Sequence, residues 1–416
     1  MSYIDRRMEN KLLTALNRSP LVFLRGPRQV GKSTLAQHII GKDFSAEYIT
    51  FDNMTQMDAA ASASEIFPRK RTDDALILDE VQMVPEVFRT LKITLNELHH
   101  KHGEKFNERF LLTSSTNIIA LPKLANSLVN NRMELVNLYP LSGVEATGGN
   151  GDFINRLFNK DFKAGNGKHK LMDVMYAATF PKISGATASK RADWFDDYLI
   201  TVLQSDIRSL SEIERVDALP NLLRNLASRI GSQINDAEIA RDVKLNHVTS
   251  RNYKALLRML FLTFDLSPIY RTVSKRLVRS PKCYLVDTLL LCHLLQYEPN
   301  NIEKNRPELF IRVIENFIAT EILKLIESDY QKLNLLYFKT SDEKKVSFVV
   351  EKPDGKLVAV EFKKSDSVSQ YDFKDLQTFQ ELMGTDFVCG VVLYCGNDVI
   401  SFGKNLWAIP MESLWA

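Results

Sequence analysis

The sequence predicts an α/β protein with a parallel sheet at its N-terminus, a helical middle, and a C-terminal α/β part that joins a long helix to several strands. Three observations carry that expectation. Short continuous apolar runs alternate with helical stretches over the first 142 residues, the pattern of strands buried on both faces and joined by crossover helices. From residue 191 to about 262, apolar residues recur instead at i, i+3, i+4 and i+7. Beyond residue 307 one long helical stretch precedes four strand-like runs, two of them separated by the hairpin signal Asp354-Gly355. A chain of 416 residues suggests two to three domains.

The elements follow in order. Apolar residues at helical spacing over 8–16 end at the breakers Asn17, Ser19 and Pro20. Residues 21–24 form a continuous apolar strand, and a helix over 32–40 stops at Gly41. Further strands are expected over 48–51, closed by Asp52 and Asn53, and over 75–78 and 110–112, with a helix over 85–99. The resulting division is an N-terminal domain over 1–142, a Gly-, Asn- and Lys-rich linker over 143–190 with a short helix over 153–159, a helical domain over 191–300, and a C-terminal domain over 301–416 whose long helix spans 308–328.

Composition excludes several classes. At 45% hydrophobic and 25% charged residues the chain is no disordered segment, fibre or disulfide miniprotein. No run reaches the roughly 18 apolar residues of a membrane span. The start, MSYIDRRMEN, lacks the apolar stretch of a signal peptide, so a cytoplasmic protein without membrane association is expected. Lys and Arg number 54 against 51 Asp and Glu, a net +3, so any basic surface must be local. Cys283, Cys292, Cys389 and Cys395 form no CxxC pair and are read as reduced core thiols. His99, His100 and His102 read as a solvated helix end, since no partner is spaced to complete a metal site.

Gly26-Pro27-Arg28-Gln29-Val30-Gly31-Lys32-Ser33 fits GxxxxGK(S/T) without mismatch, between a buried strand and a helix, and Thr34 follows it. Such a loop turns several backbone N–H groups toward one point at a helix N-terminus, where the dipole favours an anion. Lys32 is placed to reach the β- and γ-phosphates of a nucleotide and Ser33 to ligate Mg²⁺. Leu76-Ile77-Leu78-Asp79-Glu80 is an apolar strand ending in carboxylates. Asp79 would stand at the carboxyl edge of the sheet and hold the magnesium; Glu80 is the candidate base for the attacking water. The nearest approach to the base-reading NKxD string, Asn159-Lys160-Asp161, has the wrong spacing, so ATP is expected rather than GTP. Thr113-Ser114-Ser115-Thr116-Asn117 ends the next strand, and Ser114 is the candidate γ-phosphate sensor, although such residues also favour turns. Arg132 is the candidate arginine finger.

The strings GPRQVGKST, LILDEVQMVPEVF, FLLTSST, SLVNNRMELVNLYPLS, KRLVRSPKCYLVDTLL and VAVEFKKS run through nearly the whole chain in order. Together they resemble the bacterial and archaeal AAA-type P-loop ATPases that carry a C-terminal domain of unknown function. The resemblance implies an N-terminal ATP-binding domain, a winged-helix-like middle and a restriction-endonuclease-like C-terminal domain. It departs from the family at Ala177-Ala178-Thr179-Phe180-Pro181-Lys182, where two glycines and a carboxylate are usual, and at Thr113-Ser114-Ser115, where TGSS is usual.

Restriction-endonuclease-like sites use a helix Glu, a strand Asp and Glu-x-Lys to hold Mg²⁺ and activate water. Here Glu315 matches the helix Glu, and Glu361 and Lys363 match Glu-x-Lys, but Ser347 stands where the Asp is usual. That exchange removes a charged hard ligand, so an inactive nuclease-like remnant is expected. In the middle segment Asn235 and Asn246 are placed to cap two short helices, 236–243 and 247–261, in a helix-turn-helix pattern. The candidate DNA contacts are His247, Ser250 and Arg251 on the second helix and Arg271, Lys275, Arg276 and Arg279 in the basic stretch that ends at Lys282. The runs FLTFDLSPIYR and KCYLVD are read as a wing.

The expected function is Mg²⁺-dependent ATP binding and hydrolysis, coupled to movement of the other domains on double-stranded DNA or on a protein partner. Self-association is compatible with it. Two alternatives stay open: a nucleotide-gated DNA- or protein-binding switch with little turnover, and a residual metal-dependent nuclease.

Overall fold

In a computed structural model of the chain the described residues are 3–41, 44–53, 55, 57, 75–102, 109–117, 133–207, 215–269 and 280–416. They divide into two compact units, residues 1–139 with 259–261, and residues 140–258 with 262–416.

Among the described residues of the first unit, five strands form a parallel sheet: β1 (Leu21–Arg25), β2 (Ala46–Thr50), β3 (Ala75–Asp79), β4 (Phe110–Ser114) and β5 (Met133–Asn137). Their order is β2-β3-β4-β1-β5. The apolar runs explain the inner strands, since Leu21 to Leu24 of β1 and every residue of β3 and β4 are buried. β5 was not expected, and the reason is its position: an edge strand in which only Val136 is buried has no apolar run to betray it. Helices Met8–Arg18 and Lys32–Ile39 lay Leu12, Leu16, Leu35 and Ile39 on Val22, Leu24, Ile77 and Leu111. Each such side chain contributes about 1.5–3 kcal/mol when fully buried. Because all pairings are parallel, Arg25, Thr50, Asp79, Ser114 and Asn137 come to one edge, with Thr50 opposite Asp79 and Arg25 opposite both Ser114 and Asn137.

The second unit holds an eight-stranded mixed sheet in the order β12-β13-β11-β10-β9-β8-β6-β7. Its strands are β6 (Thr263–Pro268), β7 (Lys282–Leu285), β8 (Asn334–Lys339), β9 (Lys345–Glu351), β10 (Leu357–Lys363), β11 (Phe387–Tyr394), β12 (Ile400–Ser401) and β13 (Leu406–Pro410). The two runs read as a wing do form an antiparallel pair, but β6 also joins β8 in parallel, Ser267 opposite Leu336. The expected limit at residue 300 therefore does not separate two sheets.

The Gly-rich stretch read as a linker is packed within the same unit. It contains the helices Gly143–Thr147 and Phe153–Asn159, the second as expected. A Cβ on Gly149 would lie 2.1 Å from the Trp415 carbonyl oxygen, so only glycine fits that approach. Glu412 accepts from the backbone N–H groups of Asn166 at 3.0 Å and Gly167 at 2.9 Å. Gly149 and Gly165 thus serve close packing against Trp415 and against Glu412 and Pro410, rather than freedom. The helix Pro307–Ser328 crosses this core with Glu321 fully buried, where it accepts from Gly143 N at 2.6 Å and from Lys324 Nζ at 2.8 Å. Lys324 also donates to the Leu141 carbonyl at 2.9 Å, so both charges of the pair are satisfied. The four cysteines are free; three are buried as expected, while Cys395, just past β11, is exposed.

Candidate functional site

The carboxyl edge of the first sheet collects the charged and hydroxylated side chains. Gly26 leaves β1 so close to the chain after β5 that a Cβ there would lie 2.0 Å from the Leu138 carbonyl oxygen. Pro27 and Val30 are buried, Arg28 is half-buried and Gln29 is exposed in the left-handed region at φ 60°. Gly31, at φ 99°, caps the helix Lys32–Ile39, and its carbonyl accepts from Leu35 N at 2.9 Å. Lys32, only 3% exposed, reaches back across the loop and donates to the carbonyls of Gly26 at 3.2 Å and Pro27 at 2.9 Å. Ser33 is half-buried and Thr34 exposed. Arg6 went unnoticed in the sequence; its guanidinium donates to Val30 O at 2.9 Å and Tyr139 O at 2.6 Å, splinting the loop to the residues after β5.

Asp79 is 2% exposed and surrounded by hydroxyls. Its Oδ1 accepts from Ser33 Oγ at 3.0 Å and from Thr113 Oγ1, and its Oδ2 accepts from Tyr48 OH at 2.6 Å and Thr50 Oγ1 at 3.5 Å. Burial, and then the hydrogen bond to Asp79, push the Tyr48 phenol well above its ordinary range. Glu80 adopts a left-handed conformation, φ 57° and ψ 47°, which turns the chain sharply off β3, and its N–H donates to Thr113 Oγ1 at 3.1 Å. The Glu80 carboxylate accepts through Oε2 from Ser115 Oγ at 3.1 Å and from Gln82 Nε2. Partial desolvation, then the neighbouring Glu80 and Asp79, raise the Asp52 carboxyl, while Arg28 and Lys32 oppose them.

One expectation needs correction. Ser114 is fully buried and its hydroxyl turns into its own loop, donating to Thr116 O at 2.9 Å and accepting from Thr116 N at 3.1 Å. Side chains alternate along a strand, so its neighbours Thr113 and Ser115 meet the two carboxylates instead. Asn117 is held by Arg25. Arg132 lies outside the described residues. Tyr48, Gln82 and Asp52 were missed; the one signal for Gln82 was its place two residues after Glu80.

In the second unit the nuclease-like residues meet only in part. Glu315 Oε1 accepts from Lys282 Nζ at 3.0 Å and Tyr284 OH at 2.7 Å. Ser347 donates to Glu361 through N at 2.6 Å and through Oγ at 3.0 Å. The Glu361 carboxyl is pushed up to about 7, chiefly by burial and also by Glu315, while Ser347 and Lys282 pull it down. Lys363 instead pairs with Asp372 at 2.7 Å. Ser347 therefore acts as a donor to Glu361 where an Asp would repel it, and the Lys282 ammonium pairs with Glu315. Of the helix-turn-helix residues, His247 and Arg251 are exposed, but Ser250 is fully buried and faces the core. Asn235 accepts from Ala237 N and Glu238 N, and Asn246 from Thr249 N, as the capping pattern predicts. Arg271, Lys275, Arg276 and Arg279 lie outside the described residues.

A glycine-bounded loop that opens a helix, beside a strand ending in Asp-Glu in a parallel sheet, is the arrangement by which P-loop nucleotide-binding domains are recognised. Residues 18–147 match the family described as AAA domain, and residues 312–414 match a domain of unknown function (DUF4143). A second domain of unknown function (DUF8612) matches residues 168–301. The chain is similar to two uncharacterized proteins, Rv2008c of Mycobacterium tuberculosis and Mb2031c of Mycobacterium bovis. Each is 27% identical over 349 residues, 84% of this chain and 71% of the relative. Among solved structures it is similar to the Walker-type ATPase PABY2304 of Pyrococcus abyssi, at 14% identity and a TM-score of 0.45, covering 70% of this chain and 96% of that one. A second is the Aeropyrum pernix ORC1 protein in complex with DNA, at 15% identity and a TM-score of 0.26, covering 70% and 91%. No helix among the described residues is long and apolar enough to cross a membrane.

Proposed function

We propose that the first unit binds ATP with Mg²⁺ and hydrolyses it. The observation that carries this reading is the 3.0 Å bond from Ser33 Oγ to Asp79 Oδ1, which joins the phosphate loop to the carboxylate strand at one point. The Ser33 and Asp79 oxygens there are hard donors, a donor set that fits Mg²⁺. The ion, when bound, neutralises charge on the phosphate oxygens.

Each residue then has a task. The backbone N–H groups of residues 26–34 cradle the phosphates at the helix N-terminus. Lys32 exchanges the loop carbonyls for phosphate oxygens, a stronger charge-assisted pairing. Ser33 and Asp79 hold the ion. Glu80 takes a proton from the attacking water as its oxygen bonds the γ-phosphorus, and the bond to the β–γ bridging oxygen breaks to leave ADP and inorganic phosphate. Arg132 stays a candidate for stabilising the transition-state charge. Lys32→Ala should abolish ATP binding by isothermal titration; binding at the wild-type affinity would sink the phosphate assignment.

A second reading is coupling to DNA through the middle helices. What favours it is the exposure of His247 and Arg251 at the start of the helix His247–Met259, with Lys244 exposed just before it. Double-stranded DNA should then raise the rate of ATP turnover in a salt-dependent way. The 2.7 Å pairing of Lys363 with Asp372 and the Ser347–Glu361 bonds support an inactive nuclease-like remnant.

A further inference from the structure

We infer that Gln82 is a positioning residue for ATP hydrolysis, holding the Glu80 carboxylate in one orientation through a three-membered polar triangle. The inference rests on the proposed role of Glu80 as the base.

The triangle is closed on all sides. Gln82 Nε2 donates to Glu80 Oε2 and also to Ser115 Oγ at 2.9 Å, and Ser115 Oγ donates to the same Glu80 Oε2 at 3.1 Å. Both bonds fall on one carboxylate oxygen. No hydrogen bond reaches Oε1 among the described residues, so a pinned carboxylate leaves one free oxygen to accept a proton.

Local sequence explains how this arises. Glu80 sits in the left-handed region at φ 57°, unusual for a residue with a Cβ, and the short 3₁₀ turn Val81–Met83 follows at once. That turn folds Gln82 back over Glu80, where a straight continuation of β3 would point alternate side chains the same way several ångströms apart. Val81 is buried and anchors the turn, and Met83 N closes it on Glu80 O at 3.0 Å. Strain of this kind persists where surrounding contacts over-determine it and is concentrated at functional positions.

The orientation of the Gln82 amide is dictated by chemistry. A carboxylate accepts only, so the NH₂ end must face Glu80. The other end, Oε1, is buried and has no hydrogen-bond partner among the described residues. Leaving a buried acceptor unmade is unfavourable, and the amide keeps that arrangement because its Nε2 bonds to a charged group are the stronger ones. A purely structural glutamine would be expected to satisfy both ends.

A base held in place costs less reorganisation at the moment of proton transfer, so the effect belongs to kcat rather than to nucleotide binding. Gln82→Ala should lower kcat about tenfold with the Kd for ATP changed less than about twofold. Gln82→Glu, of equal size but with no donor when ionised, should lose at least as much. Ser115→Ala should lower kcat and Ser115→Thr, which keeps the hydroxyl, should restore most of it. The decisive comparison is made in single turnover on a Glu80→Gln background. If Gln82 acts through Glu80, adding Gln82→Ala there changes the residual rate less than about twofold. An additive tenfold loss in that background, or a Gln82→Ala protein with the wild-type kcat, overturns the inference. A wild-type protein without turnover sinks the ATPase reading itself. Far-ultraviolet circular dichroism shows whether each variant is folded, and Ser115→Thr keeps the test open if Gln82→Ala is not.

Discussion

Replacing Gly26 with alanine is the smallest change that should disable the site. The added Cβ would lie 2.0 Å from the Leu138 carbonyl oxygen and 3.0 Å from its carbon, where 3.4 Å begins ordinary contact. The two chains would have to separate by about 1.4 Å, the difference between 3.4 and 2.0 Å. Neither partner yields easily, because both are backbone. Leu138 N is bonded to Arg25 O at 2.8 Å, extending the β1–β5 ladder, and Gly26 N is bonded to Ser114 O at 3.3 Å. The displacement therefore passes into the loop that carries Lys32 and Ser33. A misplacement of about 1 Å costs on the order of 100-fold in a reaction that depends on position. Overpacking of this kind also costs about 1–3 kcal/mol of stability, too little by itself to unfold a typical domain. Steady-state ATP hydrolysis by Gly26→Ala should show kcat/KM reduced at least about 100-fold in a folded protein. A folded variant within about threefold of wild type would refute the reasoning, because the close approach would then be irrelevant to the loop.

Three further outcomes are expected. Lys324→Met strands the fully buried Glu321 with Gly143 N as its remaining donor and should destabilise the second unit by about 3–5 kcal/mol in urea unfolding, while Lys324→Met combined with Glu321→Leu should recover most of it. Glu361 in the folded state is raised from an ordinary 4.5 to about 7, so folding favours its protonated form. Stability from this group is therefore full below 4.5 and is lost as pH rises through 7, by up to about 3 kcal/mol. The difference in unfolding free energy between wild type and Glu361→Gln, measured from pH 4 to 8, should fall across that window; a flat difference would contradict it. Gly149→Ala brings a Cβ within 2.1 Å of Trp415 O and should loosen the last residues, read as faster carboxypeptidase trimming.

The parts that sequence made legible are those in which one physical demand dominates a stretch of chain. β1, β3 and β4 are buried on both faces, so their apolar runs announce them, and the loop at residues 26–34 is fixed by its phosphate-type geometry. β5 was invisible because an edge strand with one buried residue resembles a loop. The Gly-rich stretch misled for a related reason. Gly149 is needed for close approach to Trp415, and composition cannot distinguish that need from flexibility. β6 joins β8 across some seventy residues, a pairing no local pattern encodes. Within the site, Lys32, Ser33, Asp79 and Glu80 were readable from spacing, whereas Tyr48 and Gln82 became evident only from the bonds they make. Ser114 was one of a run of hydroxyls that spacing cannot tell apart, and only the bonds of Thr113 and Ser115 show which of them face the carboxylates.

The most direct test of the central claim pairs binding with turnover in Glu80→Gln. The substitution keeps the size and hydrogen-bonding reach of the side chain but removes the base. The account predicts ATP affinity within about threefold of wild type and turnover reduced at least about 100-fold, the range that general-base removal spans. Hydrolysis by Glu80→Gln at the wild-type rate would contradict it, and would remove the water-activating role from the carboxylate that Gln82 and Ser115 hold.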